Sequence, residues 1–82
     1  MKYYIQNRLP VGNCVLWWRE GGNGYTCDLD KAGLFDETEA PKIVKSRPDI
    51  DIAWKRYDVE AYAVRHVDLQ NLISNFQPLR SA

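Results

Sequence analysis

Two cysteines and one histidine are the residues most able to carry metal or nucleophilic chemistry in this chain: Cys14, Cys27 and His66. Two thiolates and an imidazole could supply three ligands of a tetrahedral zinc site. There is no Cys-x-x-Cys pair, however, and the fourth ligand would have to be a carboxylate such as Asp28 or Asp30. A Cys–His nucleophilic pair would need a third group to orient the base, and the spacing supplies none. The sequence therefore predicts no catalytic residue, no metal and no cofactor.

A run of aromatic residues is the more informative feature. Trp17, Trp18 and Arg19 follow an apolar stretch, and Tyr25 comes after a glycine-rich segment. Side chains alternate between the two faces of a strand, so the two indole rings must point in opposite directions. One ring can fill the core, and the other can be covered by another element or offered to a partner. Trp, Tyr and Arg dominate binding hot spots in proteins, although both rings could equally be core residues.

Acidic residues flank the same hairpin and the following segment. They could imitate nucleic-acid phosphates toward a basic groove of a partner, or form an ordinary solvated face. The sequence predicts that Asp28 and Asp30 join the hairpin residues in a partner-binding surface. The remaining acidic positions are Asp36, Glu37, Glu39, Asp49 and Asp51.

Length and charge limit the functional classes. Eighty-two residues predict a single domain covering positions 1–82. Eleven basic and eleven acidic residues give zero formal net charge, which offers no general attraction to nucleic acid. The absence of a long apolar run predicts a cytoplasmic protein with no membrane partner. An uncovered sheet edge in so small a domain is compatible with a homodimer.

The N-terminal half has the pattern of an antiparallel meander. Strands are predicted at 2–6, 13–19 and 25–29, with a turn or loop at 7–12. Three glycines between Glu20 and Tyr25 supply the positive-φ positions of a hairpin loop.

A helix is predicted after the meander. Asp36 and Glu39 have the spacing of a capping box. The N-cap is either Asp36 or Thr38, and only the second choice places Pro41 harmlessly in the first turn. The helix is expected to end near Ser46, because Pro48 disfavours helical geometry at the residue before it.

The last third of the chain leaves two alternatives open. Residues 49–54 alternate acidic and apolar types and could form a fourth strand, with Ile50 and Ile52 on one face. After them we expect a short helix capped by Asp58 and a strand at 64–69, or else a single helix from Asp58 to about Leu72. The tail from about 76 is expected to fray. The predicted class is α+β, a small antiparallel sheet of three to five strands with one or two helices on one face.

The hairpin also carries a resemblance. The chain resembles small phage and prophage proteins over residues 3 to about 69, and no activity is established for that group. The resemblance lies in a Gly-Asn-Cys, apolar, Trp-Trp arm, a Gly-Tyr-Thr arm, an Ala-Gly-aromatic lead into a helix and an Arg-His-Val segment, found here at 12–19, 24–26, 32–35 and 65–67.

This resemblance implies an accessory protein made inside an infected bacterium. Small phage proteins of this type often bind and redirect a host protein, including defence complexes. We therefore expect a non-enzymatic protein that binds a host protein, with inhibition of a host or defence complex as its effect. The expected binding residues are Trp17, Trp18, Arg19, Tyr25, Asp28 and Asp30. The alternative is a nucleic-acid-binding accessory protein that uses an aromatic and arginine face of the sheet.

Overall fold

The hairpin residues form three consecutive antiparallel strands. A computed structural model describes residues 1–67 and 79 of the chain. Strand β1 is Tyr3–Val11, β2 is Cys14–Trp18 and β3 is Tyr25–Thr26. Trp17 is opposite Thr26 and Trp18 is opposite Tyr25 in the β2–β3 pair. The predicted three-stranded meander is confirmed.

A fourth strand completes the sheet on the other side of β1. Strand β4 is Asp51–Lys55 and pairs antiparallel with β1, where Ile5 is opposite Ala53. The strand order is therefore β3-β2-β1-β4, with β1 in an interior position. The sheet and two helices confirm the predicted α+β class.

Two strand boundaries in the meander were predicted wrongly. The turn is confined to Gly12 and Asn13 and does not span 7–12, because β1 continues to Val11 through an irregularity after Asn7. Asn7 is buried opposite Leu16 and accepts the Leu9 backbone N–H on Oδ1 at 2.9 Å. The third strand stops at Thr26 instead of residue 29. Its hydroxyl accepts the Asp28 N–H at 3.0 Å, and such local side-chain bonds compete with a sheet ladder.

The region around β4 also departs from expectation. The strand begins at Asp51 instead of residue 49, because the Ile50 and Asp51 N–H groups both donate to the Arg47 carbonyl in a turn. Helix α2 is Arg56–Glu60. A short helix was expected here, but it starts before Asp58 and does not continue toward Leu72. Residues 63–67 contain no strand, and the rest of the predicted 64–69 strand lies outside the described residues, as does the tail prediction, apart from residue 79.

Helix α1 is Glu39–Ser46, so of the two predicted N-cap candidates Thr38 holds that position, although its side chain makes no capping bond. The predicted capping-box bonds are made by Asp36 and Glu39. Asp36 Oδ1 accepts the Thr38 and Glu39 N–H groups, each at 2.8 Å, and Glu39 Oε1 accepts the Asp36 N–H at 3.3 Å. These backbone donors lower the pKa of Asp36 because they stabilise its carboxylate. Pro41 falls in the first turn, where no intrahelical bond is lost. The helix ends at Ser46 as predicted.

Helix α1 covers one face of the sheet. Ile5, Phe35 and Ala40 are buried together, and Trp18 and Ala53 pack against them. We call this side the α1 face. Phe35 is fastened to the sheet by two backbone bonds with Tyr3, of 2.8 and 2.9 Å.

The opposite face carries Trp17, and we call it the Trp17 face. Tyr4 and Trp17 are buried with ring centroids 5.6 Å apart. The indole N–H of Trp54 donates to Gln6 Oε1 at 2.7 Å on the same side. The two tryptophans of β2 therefore lie on opposite faces, as alternation predicted.

Helix α2 is held to the Trp17 face through a side-chain network. The Tyr4 hydroxyl donates to Glu60 Oε2 at 2.6 Å, and the same oxygen accepts Arg56 Nε–H at 2.9 Å. Burial, followed by the bond to Glu60, raises the pKa of Tyr4 to about 12. The pKa of Glu60 is lowered by the bonds from Tyr4 and Arg56. The second helix thus contacts the face opposite α1, so the two helices do not share one face as the sequence predicted they would.

A glycine closes the connection between the meander and α1. The Gly33 N–H donates to the Trp18 carbonyl at 2.9 Å, and Ala32 forms a bridge with Arg19. A Cβ atom at Gly33 would lie 2.7 Å from the Glu20 nitrogen and 2.9 Å from the Arg19 carbonyl carbon. Only glycine allows this close backbone approach.

In the described part of the chain, no helix has the length and apolarity needed to cross a membrane.

The pH dependence of stability tests the Tyr4–Glu60 contact. The folded state keeps the Tyr4 proton to about pH 12, whereas an unfolded tyrosine loses it near pH 10. The raised pKa of Tyr4 therefore adds its full share to the free energy of unfolding below about pH 10. That share is lost as the pH rises toward 12, by at most about 1.4 kcal/mol per pH unit. We expect Tyr4→Phe to remove this part of the decline in urea-unfolding free energy between about pH 9.5 and 11.5.

Tyr57→Phe is the matched control, because the Tyr57 ring is largely exposed. Its alkaline profile should follow that of the wild type. Identical alkaline slopes for Tyr4→Phe and the wild type would contradict the assigned contact.

Candidate functional site

Four side chains from three strands and the end of α1 meet on the α1 face. They are Trp18, Tyr25, Arg47 and Asp51, which we call the Asp51 cluster. Asp51 is only 1% exposed. Its Oδ1 accepts the Trp18 indole N–H at 3.0 Å and Arg47 Nη2–H at 3.2 Å, and its Oδ2 accepts Arg47 Nε–H at 3.0 Å. Both carboxylate oxygens are satisfied, as a buried charge requires.

Arg47 connects the buried carboxylate to the surface. It follows the last residue of α1, and the turn to β4 places it four residues before Asp51. Its guanidinium carbon lies 5.6 Å from the centroid of the Trp18 ring, within cation–π range. The bonds to Asp51 and then to Tyr25 raise the pKa of Arg47 above its ordinary value.

Tyr25 is the exposed member of the Asp51 cluster. Its side chain is 41% exposed, but its hydroxyl accepts Arg47 Nη2–H at 3.0 Å. The ring also meets Trp18 edge to face, with centroids 6.0 Å apart and planes at 87°. Trp18 contacts Phe35 of the core in the same manner. Tyr25 is therefore an accessible ring held by contacts that reach the core.

The other predicted site residues fall into two groups. Arg19, Asp28 and Asp30 are exposed on the segment that follows β2 and β3. Asp28 caps a short 3₁₀ turn by accepting the Asp30 N–H at 2.9 Å. Trp17 lies on the other face and is 8% exposed, so it offers little surface to a partner. Of the predicted set, the structure brings Trp18 and Tyr25 into direct contact.

The two charged members of the cluster were not among the predicted site residues. Arg47 was expected just beyond the end of the helix, and Asp51 in an acidic surface. The second assignment is wrong, because the Asp51 carboxylate is buried. Arg47 and Asp51 are four residues apart, but Pro48 stands between them and they do not share a helix, so the spacing gave no helical i,i+4 signal. The burial of Asp51 depends on Trp18, which is 33 residues away, and local spacing does not reveal it.

Of the candidate zinc ligands in the sequence, Cys14 and His66 lie close together. Cys14 Sγ lies 3.7 Å from His66 Nε2, and the His66 side chain is exposed. Cys27 follows β3. Within residues 1–67 and 79, no group of three or more His, Cys, Asp or Glu side chains is arranged to hold a metal ion. The zinc ligand set considered from the sequence is therefore not assembled by the described residues.

Comparison with known proteins gives no independent guide to function. No protein-family model, curated protein or solved structure matches the chain.

The charges of Arg47 and Asp51 are already paired with each other in a salt bridge. The chemistry that the Asp51 cluster offers to a partner is thus mainly the exposed ring of Tyr25.

Removing the buried carboxylate tests the structural role of the cluster. Asp51→Ala leaves the Trp18 N–H without its acceptor, whereas Arg47 is exposed enough to turn toward water. We expect a loss of about 2–3 kcal/mol in unfolding free energy. Urea titration followed by tryptophan fluorescence measures it.

Asp49→Ala is the control, because Asp49 is exposed two residues earlier in the chain. It should cost less than about 0.5 kcal/mol. Equal stability of the two variants would show that Asp51 does not have the assigned role.

Proposed function

We propose that this chain is a phage or prophage accessory protein that acts without catalysis by binding a host protein in the bacterial cytoplasm. In this proposal it inhibits a host or defence component. The observation that carries the binding role is Tyr25, a ring that is accessible and yet held in place. The phage context comes from the resemblance of the hairpin sequence.

A fixed aromatic ring favours binding for two physical reasons. Its burial by a partner removes apolar area from water, and tyrosine is enriched among hot-spot residues. In addition, a ring whose orientation is set before binding loses less conformational entropy when the complex forms. The contacts of Tyr25 with Arg47 and Trp18 supply this pre-organisation.

The surroundings of Tyr25 are better suited to protein than to nucleic acid. The Arg47 guanidinium forms a salt bridge with the Asp51 carboxylate. The exposed residues near Tyr25 in the chain include Asp28 and Asp30 as well as Arg19. Carboxylates repel a phosphate backbone, and the chain has zero net charge. Mixed charges around an aromatic centre match the polar rim of a protein interface.

The first experiment is a tagged pull-down from bacterial lysate, with and without nuclease, using the wild type and Tyr25→Ala. We expect a host protein captured in both wild-type samples and depleted in the variant. With the captured protein purified, calorimetry should show binding that is about 10- to 30-fold weaker for Tyr25→Ala. Tyr25→Phe keeps the ring without its bond to Arg47 and should fall between the two.

Tyr62→Ala is the matched control, because that ring is 87% exposed and follows α2. It should bind as the wild type does. Capture that disappears with nuclease would favour the nucleic-acid alternative. Equal affinities of Tyr25→Ala and Tyr62→Ala would exclude Tyr25 as the anchor.

A further inference from the structure

Strand β4 has an outer edge on which, among residues 1–67 and 79, no strand pairs. The direction of its backbone groups follows from two bonds that flank it. The Arg8 N–H donates to the Ile50 carbonyl at 2.9 Å, and the Arg56 N–H donates to the Lys2 carbonyl at 3.0 Å. The Ile50 carbonyl and the Arg56 N–H thus point toward β1.

Alternation along the strand assigns the groups between these two bonds. Ile52 and Trp54 also direct their N–H and C=O groups toward β1, whereas those of Asp51, Ala53 and Lys55 point outward. The outward N–H of Asp51 is already bonded to the Arg47 carbonyl at 2.9 Å. The outward groups of Ala53 and Lys55 are oriented to pair with another strand.

The sequence of β4 is complementary to itself when reversed. An antiparallel copy centred on Ala53 places Asp51 opposite Lys55 and Ile52 opposite Trp54, and each pair occurs twice. Aromatic and β-branched residues form favourable cross-strand pairs. The Asp51 carboxylate is buried and paired with Arg47 of its own chain, so the complementarity lies in the two Ile52–Trp54 pairs. Trp54 is 44% exposed with its indole fixed by Gln6, so a second Ile52 has a defined surface to cover.

We propose that β4 pairs with β4 of a second copy of this chain, so that two four-stranded sheets join across a twofold axis at Ala53. The Ala53 backbone groups of the two copies bond to each other in both directions. The Lys55 N–H of each copy donates to the Asp51 carbonyl of the other. Ile52 of each copy packs on Trp54 of the other, on the Trp17 face. The interface is isologous and closes as a dimer.

The experiment is sedimentation of the full chain from about 1 μM to about 500 μM, which covers weak and moderate dimers. The wild type should shift from the mass of one chain to that of two. Ala53→Pro removes an outward N–H without removing a bond to β1, and it should abolish the dimer. Trp54→Ala removes the exposed ring that Ile52 of the other copy covers and should weaken dimerisation by about tenfold.

Tyr62→Ala is the matched control, because it also removes an exposed ring, at a position that follows α2 and is not on β4. Its dimerisation should equal that of the wild type. Circular dichroism checks that Ala53→Pro folds, and Trp54→Ala keeps the test decisive if it does not. A wild type that stays monomeric, or a dimer indifferent to Trp54→Ala and to a folded Ala53→Pro, would overturn the proposal.

Discussion

The burial of one carboxylate is the constraint on which the arrangement of this domain depends. Removing a carboxylate from water is costly unless its oxygens are hydrogen-bonded and its charge is paired. Asp51 meets that requirement with donors from β2 and from the end of α1. Because the donors come from separate elements, satisfying the carboxylate also sets the distances among α1, β2 and β4. A polar contact thereby determines how apolar surfaces are brought together.

The hydrogen bonds of Asp51 matter for the arrangement of the domain because the apolar core is small. Ile5, Phe35 and Ala40 form the buried cluster under α1, and larger rings at its margin are only partly covered. A domain of this length buries a modest share of its surface, so packing alone specifies its structure weakly. Capping by Asp36 and the bond from Tyr4 to Glu60 add further fixed points at the ends of the two helices.

Whether a feature could be predicted from the sequence depends on how far apart in the chain the interacting residues are. Features set within a few residues could be predicted: the opposite directions of Trp17 and Trp18, the capping box at Asp36 and the harmless position of Pro41. The continuation of β1 past Asn7 could not, because it depends on β2 and on a buried amide. The Asp51 cluster was missed for the same reason, since alternating acidic and apolar residues at 49–54 describe a half-exposed strand equally well. Tyr25 was identified from its residue type, but the contacts that hold it come from Arg47.

The interior position of β1 has a consequence for synthesis on the ribosome. Residues 3–11 emerge before the other strands of the sheet, and β2 and β3 follow closely enough to pair as soon as they are made. The other neighbour of β1 is about forty residues further along the chain. At the usual pace of translation, about 5–20 residues per second, the nascent chain spends some seconds with one side of β1 uncovered. Over that interval the indole N–H of Trp18 also lacks its acceptor, Asp51. The emerging meander is therefore prone to aggregation and is a state that chaperones can bind.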